Sequence, residues 1–239
     1  MSATNIDYEL FCFLRWFYIR DFVVKHNIES FICLDSDVLV FSDLTEALKP
    51  FRHFSIAIER ESMPPFTYFG NRKAIVDFCD FITRQYMEPN YIKRLEEGWE
   101  YHKPKNWGGI CDMVIFEFYF NENPESTGRL DVIVNNAVFD YHIRGKNGFE
   151  MQGENKKVKW KNDSPYGFYL ESKKWIRFHG IHYGGEAKAL MYKHYSGGGY
   201  YRQRLSEYIM EIRNKYQLKT KIKSFLNQRL NNFLNQVLS

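Results

Sequence analysis

The chain predicts a mixed α/β fold with flanking helices and a helical tail. Short apolar runs of strand length, such as Phe31-Ile32-Cys33-Leu34, alternate with longer stretches of helical spacing. The 239 residues, 44% hydrophobic and 26% charged, suffice for one sizeable core with an appendage and not for two enzymatic domains. No internal repeat is visible, which sets aside a solenoid. The 18% aromatic share supplies either a dense core or a ring-lined cleft.

Taken in order, residues 8–26 read as a helix that is apolar nearly all round and therefore buried on most faces. Residues 31–34 have the look of a buried parallel strand, and Val38-Leu39-Val40-Phe41 continues it past an acidic break. Residues 54–59 form a second strand, Pro64-Pro65 enforces a loop, and residues 72–86 read as an amphipathic helix with Ile75, Phe78, Cys79 and Ile82 on its apolar side. A turn at residues 106–109 leads into a helix over 112–120, followed by a loop over 121–128. Val132-Ile133-Val134 and Val138-Phe139 are strand-like on either side of Asn135-Asn136, and the Lys-rich stretch 145–167 suits a surface hairpin or insertion. A strand over 175–179 ends in the Gly184-Gly185 turn, after which a glycine-rich break at 196–199 separates a body, residues 1–199, from a helical tail, residues 200–239.

Residues 202–239 hold eight Lys or Arg against two Glu, so the body is close to neutral and the tail is basic. In the tail, Leu218, Ile222, Phe225, Leu226, Leu230 and Phe233 recur at helical spacing among Lys219, Lys221, Lys223 and Arg229. Such a basic amphipathic helix docks on the protein's own body or lies against an anionic membrane surface. The richest apolar run, residues 11–24, is interrupted by Arg15, Arg20 and Asp21, and the start lacks signal-peptide order. The expected location is the cytoplasm, with peripheral contact at the inner membrane face through the tail, and no nucleic-acid partner is expected. Cysteines at 12, 33, 79 and 111 show no C-x-x-C pair and fit reduced thiols.

Asp35-Ser36-Asp37 directly follows a strand, at the kind of sheet end where open α/β folds bind ligands. Two hard carboxylates suit Mg²⁺ or Mn²⁺, ions commonly shared with a diphosphate, although a strand running into a loop also carries such a pair by chance. The D-x-D-V-L context is shared with haloacid-dehalogenase-like phosphatases, where the first Asp is a nucleophile and the second a general acid. That family requires a later acidic pair, and no Asp-Asp, Glu-Asp or Gly-Asp-x-x-x-Asp follows here.

A second constellation lies far along the chain, where His182, Gly185 and Lys188 make an H-x-x-G-x-x-K array. With both motifs in this order, residues 8–195 resemble nucleotide-sugar glycosyltransferases of the GT-A fold, especially the family-8-like group. The resemblance implies a partial GT-A (Rossmann-like) mixed sheet and metal-dependent transfer of a sugar from a nucleotide-sugar donor to a carbohydrate or other hydroxyl acceptor in glycan assembly. It implies Asp35 and Asp37 as metal and donor-ribose ligands and His182 as the third metal ligand. Lys188 becomes a cation on the diphosphate, and Gly185 a point of close backbone approach. An imidazole joining two carboxylates favours Mn²⁺ over Ca²⁺, with Mg²⁺ as the alternative. His179, on the same strand, should face the opposite side.

Arg15, or its rival Arg20, would reach the donor phosphate from the first helix. Asp112 is either a helix-start residue or a ligand of a sugar hydroxyl, and in an inverting enzyme the base that deprotonates the acceptor. Trp107, Trp99 and Tyr68 either stack on sugar faces or fill the core. Only 34 residues precede Asp35, whereas the family places several strands and helices before its acidic motif. A partial domain should leave one edge of the 31–34 strand unpaired and apolar surface of the first helix uncovered. It would also suit an inactive carbohydrate- or nucleotide-sugar-binding remnant.

Overall fold

The computed structural model describes residues 6–60, 63–105 and 110–195. Helix α1 spans Ile6–Lys25, strand β1 Phe31–Leu34, strand β2 Val38–Val40, the short helix α2 Leu44–Ala47, strand β3 Ile56–Arg60 and strand β4 Met63–Phe69. Helices α3, Arg72–Met87, and α4, Pro89–His102, follow, then α5, Asp112–Glu122, and β5, Thr127–Arg129. Strand β6 is Ala137–Asp140, the hairpin β7–β8 joins Met151–Gln152 to Asn155–Lys156, and β9, Val158–Lys161, β10, Ser164–Tyr169, and β11, Lys174–His182, complete the body. The chain divides into two compact units between Lys188 and Ala189, and the second contains the four-residue helix α6, Met191–His194. The basic tail and the glycine-rich break expected before it lie outside the described residues. No helix among the described residues is long and apolar enough to cross a membrane.

The expected α/β class is found, as two principal sheets, each mixing parallel and antiparallel pairs. One has the order β1-β4-β3-β5, the other β2-β11-β10-β9 with β6 against β11. Side chains alternate across β3 and β4. Ile56, Ile58 and Phe69 join one core cluster with Trp16 of α1, Phe78 of α3 and Phe116 of α5. Ala57, Phe66 and Tyr68 point the other way, into a second cluster with Phe51, Leu130 and Phe139 of β6. Each fully buried Phe contributes about 1.5–3 kcal/mol relative to exposure, so these rings make a large contribution to the two clusters.

Several expectations are corrected. Strand β1 is not a buried parallel strand; it lies at the edge of its sheet and, among the described residues, pairs antiparallel with β4 alone. Strand β2 does not extend β1 but crosses to the other sheet, where Val38 faces His182 on β11. Pro64-Pro65 lies inside β4, because pairing with β1 begins only at Phe66 and the β3–β4 ladder is bulged opposite the prolines, so neither missing N–H leaves a gap. Val132-Ile133-Val134 is not a strand; only Val134 bridges Ala137, across an Asn135-Asn136 turn with both residues at positive φ. The polar helix α4, opened by Pro89 at its first turn, was not anticipated, nor was β5 within the expected 121–128 loop. Helix α1 is not buried on most faces: Phe13, Trp16 and Val23 are, while Tyr8, Phe11, Tyr18 and Phe22 are exposed. Among the described residues, the expected unpaired edge of β1 and exposed apolar surface of α1 are present.

Candidate functional site

The D-x-D turn sits where the two sheets part. The Asp35 amide donates to the Pro65 carbonyl at 2.9 Å, tying that residue to the first sheet, while the Asp37 carbonyl accepts from the Tyr183 amide at 2.8 Å, tying it to the second. The two carboxylates therefore serve different neighbours. Arg15 Nη1 donates to Asp35 Oδ1 at 2.8 Å and Nη2 to Asp112 Oδ2 at 2.7 Å. That same Asp112 oxygen also accepts from Arg15 Nε at 3.2 Å and from the Trp16 indole at 2.9 Å. Burial pushes the Asp112 carboxyl up, against the pull of Arg15 and Trp16. For Arg15, burial opposes the charge, but Asp112 and then Asp35 outweigh it and hold the guanidinium above its ordinary value.

Asp37 faces the other way, toward the end of β11. Its Oδ1 lies 3.5 Å from His182 Nε2 and its Oδ2 3.2 Å from Lys188 Nζ. His182 Nδ1 is 2.6 Å from the Tyr141 carbonyl, an acceptor only, so Nδ1 carries a proton and Nε2 faces the Asp37 carboxylate. Nε2 can meet that carboxylate through its own proton or through a cation shared between the two.

The strand that ends at Asp140 supports this imidazole from below. Lys156 Nζ, fully buried, donates to Asp140 Oδ1 at 2.6 Å and to the His142 carbonyl at 2.7 Å, and the Ile143 amide donates to the His182 carbonyl at 2.9 Å. Burial raises the Asp140 pKa, with Lys156 opposing. His142 stands edge-on to His182 with ring centroids 5.4 Å apart; burial, then the neighbouring His182, lowers its pKa. Gly184 closes the other side, since a Cβ there would lie 2.9 Å from His182 Cε1 and 3.0 Å from His142 Nε2.

Of the residues expected at the site, Asp37, His182 and Lys188 come together across about 145 positions of chain. Gly185 opens the turn that carries Lys188 and adopts φ +61°. Asp35 is instead grouped with Arg15 and Asp112, where Asp112 anchors the guanidinium. Arg20 pairs with its neighbour Asp21 and lies over Phe17, away from this group. His179 points to the opposite face of β11, onto Ser42. Tyr68 is buried in the second core cluster and Trp99 packs against the first, while Trp107 lies outside the described residues. His142, Gly184 and the Lys156–Asp140 pair were not anticipated. The one available signal was Asp140-Tyr141-His142, a polar step directly after an apolar strand, as in Asp35-Ser36-Asp37.

Among the described residues, no three His, Cys, Asp or Glu side chains form a group able to hold a metal ion. The donor set is thus a pair, Asp37 and His182, with a lysine alongside. Compared with known proteins, the chain matches no family model, no curated protein and no solved structure.

Proposed function

We propose that the body is a partial GT-A glycosyltransferase domain that takes a sugar from a nucleotide-sugar donor to a hydroxyl acceptor with the help of Mn²⁺ or Mg²⁺. The observation that carries this reading is the Asp37–His182 pair, with Oδ1 and Nε2 3.5 Å apart and Lys188 on the same carboxylate. Adjacent ligands of an ion with bonds near 2.1 Å stand about 3 Å apart, so the pair needs only a small closure to share one. The Nδ1–H bond to a backbone carbonyl is the usual way a ligating imidazole is oriented. Asp35 does not complete a protein triad, and the remaining positions suit diphosphate oxygens and water, as is common for Mg²⁺ sites. The ion, when bound, neutralises charge on the departing nucleoside diphosphate.

Lys188 is more than half exposed and can transfer from Asp37 to a diphosphate oxygen as charge develops there. Arg15, held in a fork by Asp112 and Asp35, offers a second cation whose position is fixed beforehand.

The test is Mn²⁺ binding by the full chain, followed by water-proton relaxation, together with nucleoside diphosphate release from a panel of nucleotide sugars. Asp37→Ala and His182→Ala are expected to abolish ion binding. Asp35→Ala should only weaken it, because Asp35 faces Arg15. Ion binding that survives Asp37→Ala would overturn the assignment, whereas Mn²⁺-dependent donor binding with no release would favour the inactive binding remnant.

A further inference from the structure

The opposite face of β11 carries a concavity of about 550 Å³, within the size range of small-molecule sites. It lies over Trp175, Arg177 and His179, which alternate along one face of the strand, with Tyr166 beside Arg177 on β10. Helix α2 forms one wall with Asp43 and Glu46, and the Asn135-Asn136 turn forms the other. None of these residues belongs to the Asp37–His182 group.

The lining selects by elimination. Asp43 and Glu46 set two carboxylates against the Arg177 guanidinium, but Glu46 is paired with Lys49 at 2.5 Å and Lys159 Nζ stands 5.1 Å over the Trp175 ring. Burial pushes His179 down to about 4, so its ring is neutral near pH 7. These charges nearly cancel, so the concavity has no dominant field to draw in a phosphate, a carboxylate or an amine. An apolar ligand would strip water from the amides, carboxylates and guanidinium without replacing their hydrogen bonds. Arg177 already has a buried Nε with no partner, although one Nη donates to the Phe41 carbonyl at 3.1 Å. What remains is a ligand with an apolar face for the half-exposed rings of Trp175 and Tyr166 and a rim of groups that both donate and accept.

A pyranose ring has that form, with C–H bonds on its faces and hydroxyls around its edge. We propose that this concavity is a binding site for an uncharged saccharide, stacked on Trp175 and hydrogen-bonded by Arg177, Asn135 and the α2 carboxylates. The inference does not depend on the transferase reading, because it uses none of that site's residues.

The experiment is ligand-observed NMR on the full chain with maltotriose, cellotriose, chitotriose and mannotriose, using inorganic phosphate and spermidine as charged controls. At least one trisaccharide is expected to bind saturably, in the millimolar range or tighter. Trp175→Ala should weaken that binding at least tenfold and Trp175→Phe should restore most of it. Asp37→Asn should leave it unchanged. Trp175 is exposed, and circular dichroism checks that its variants fold. The proposal is overturned if no trisaccharide binds, if only phosphate or spermidine binds, if Trp175→Ala binds as the parent does, or if Asp37→Asn alone removes binding. That last result would move the saccharide to the other site.

Discussion

Gly184 is where a single methyl group would be felt most directly, because both imidazoles of the candidate site lie within van der Waals reach of its missing Cβ. Gly184→Ala must displace His182, His142 or the backbone between them, and His182 is held on its far side by the Tyr141 carbonyl. Nε2 then leaves its line to Asp37. We expect Mn²⁺ binding to fall about 10–100-fold, the usual cost of disturbing the groups that orient a ligand, with little change in melting temperature. Unchanged binding in a folded Gly184→Ala protein would mean that the imidazole is not held as described. The unequal roles of Asp35 and Asp37 arise at the same scale. In sequence they are equivalent members of one motif; in space each follows the sheet to which its backbone is bonded, and a spacing of two carries no information about that division.

Among the elements, the β3–β4 pair holds the least legible feature. Glu59 occupies an apolar strand, fully buried, with Oε2 accepting from the Phe66 amide at 3.1 Å and Oε1 unpartnered. It serves the ladder where the two prolines interrupt it. Burial raises its pKa well above the ordinary carboxyl value, with Asp131 and Asp140 adding to the shift and the Phe66 amide opposing it. Below about pH 4.3, folded and unfolded chains both hold the proton. As pH rises, the unfolded chain releases it and the folded chain keeps it, so stability falls by up to about 1.4 kcal/mol per pH unit until the folded pKa is reached. Glu59→Gln retains an acceptor for Phe66 and removes the titration. Urea denaturation should therefore find the variant gaining on the parent as pH rises above about 4.5, until the folded pKa is passed, and a constant difference would refute a raised Glu59 pKa. The helix periodicity of α3 was legible because its apolar and polar faces separate cleanly. The sheet assignment of β1 and β2 was not, since four apolar residues fit an edge or a centre equally well. Prolines normally end a strand, and nothing local announces a bulge and a buried Glu that allow one to continue. The motif pairing of Asp37 with His182 could be read because residue types and order carry it, whereas His142 and Lys156 depend on a register that only folding reveals.

At the scale of the whole molecule, polarity is distributed unusually over the first sheet and its helices. Tyr8, Phe11, Tyr18 and Phe22 of α1 share one helix face and stand open, Tyr18 at 69% and Phe11 at 66% exposure, while Trp16 on the other side is sealed in the core. The edge of β1 lies in the same part of the fold, with only β4 bonded to it among the described residues. A long aromatic stripe and an unpaired strand edge both favour association, the first by burying apolar area and the second by offering unsatisfied backbone groups. Short edge strands limit the second contribution, and β1 has only four residues, so the helix stripe should dominate. The chain is therefore expected to self-associate as its concentration rises from low to high micromolar in sedimentation velocity. Phe11→Glu combined with Tyr18→Lys should restore a single slow species, without lowering the melting temperature, because neither side chain is buried. Association that persists unchanged in that double variant would shift the cause to the β1 edge, and a monomer at every concentration would mean that the exposed stripe is too small or too interrupted by Arg15 to drive pairing.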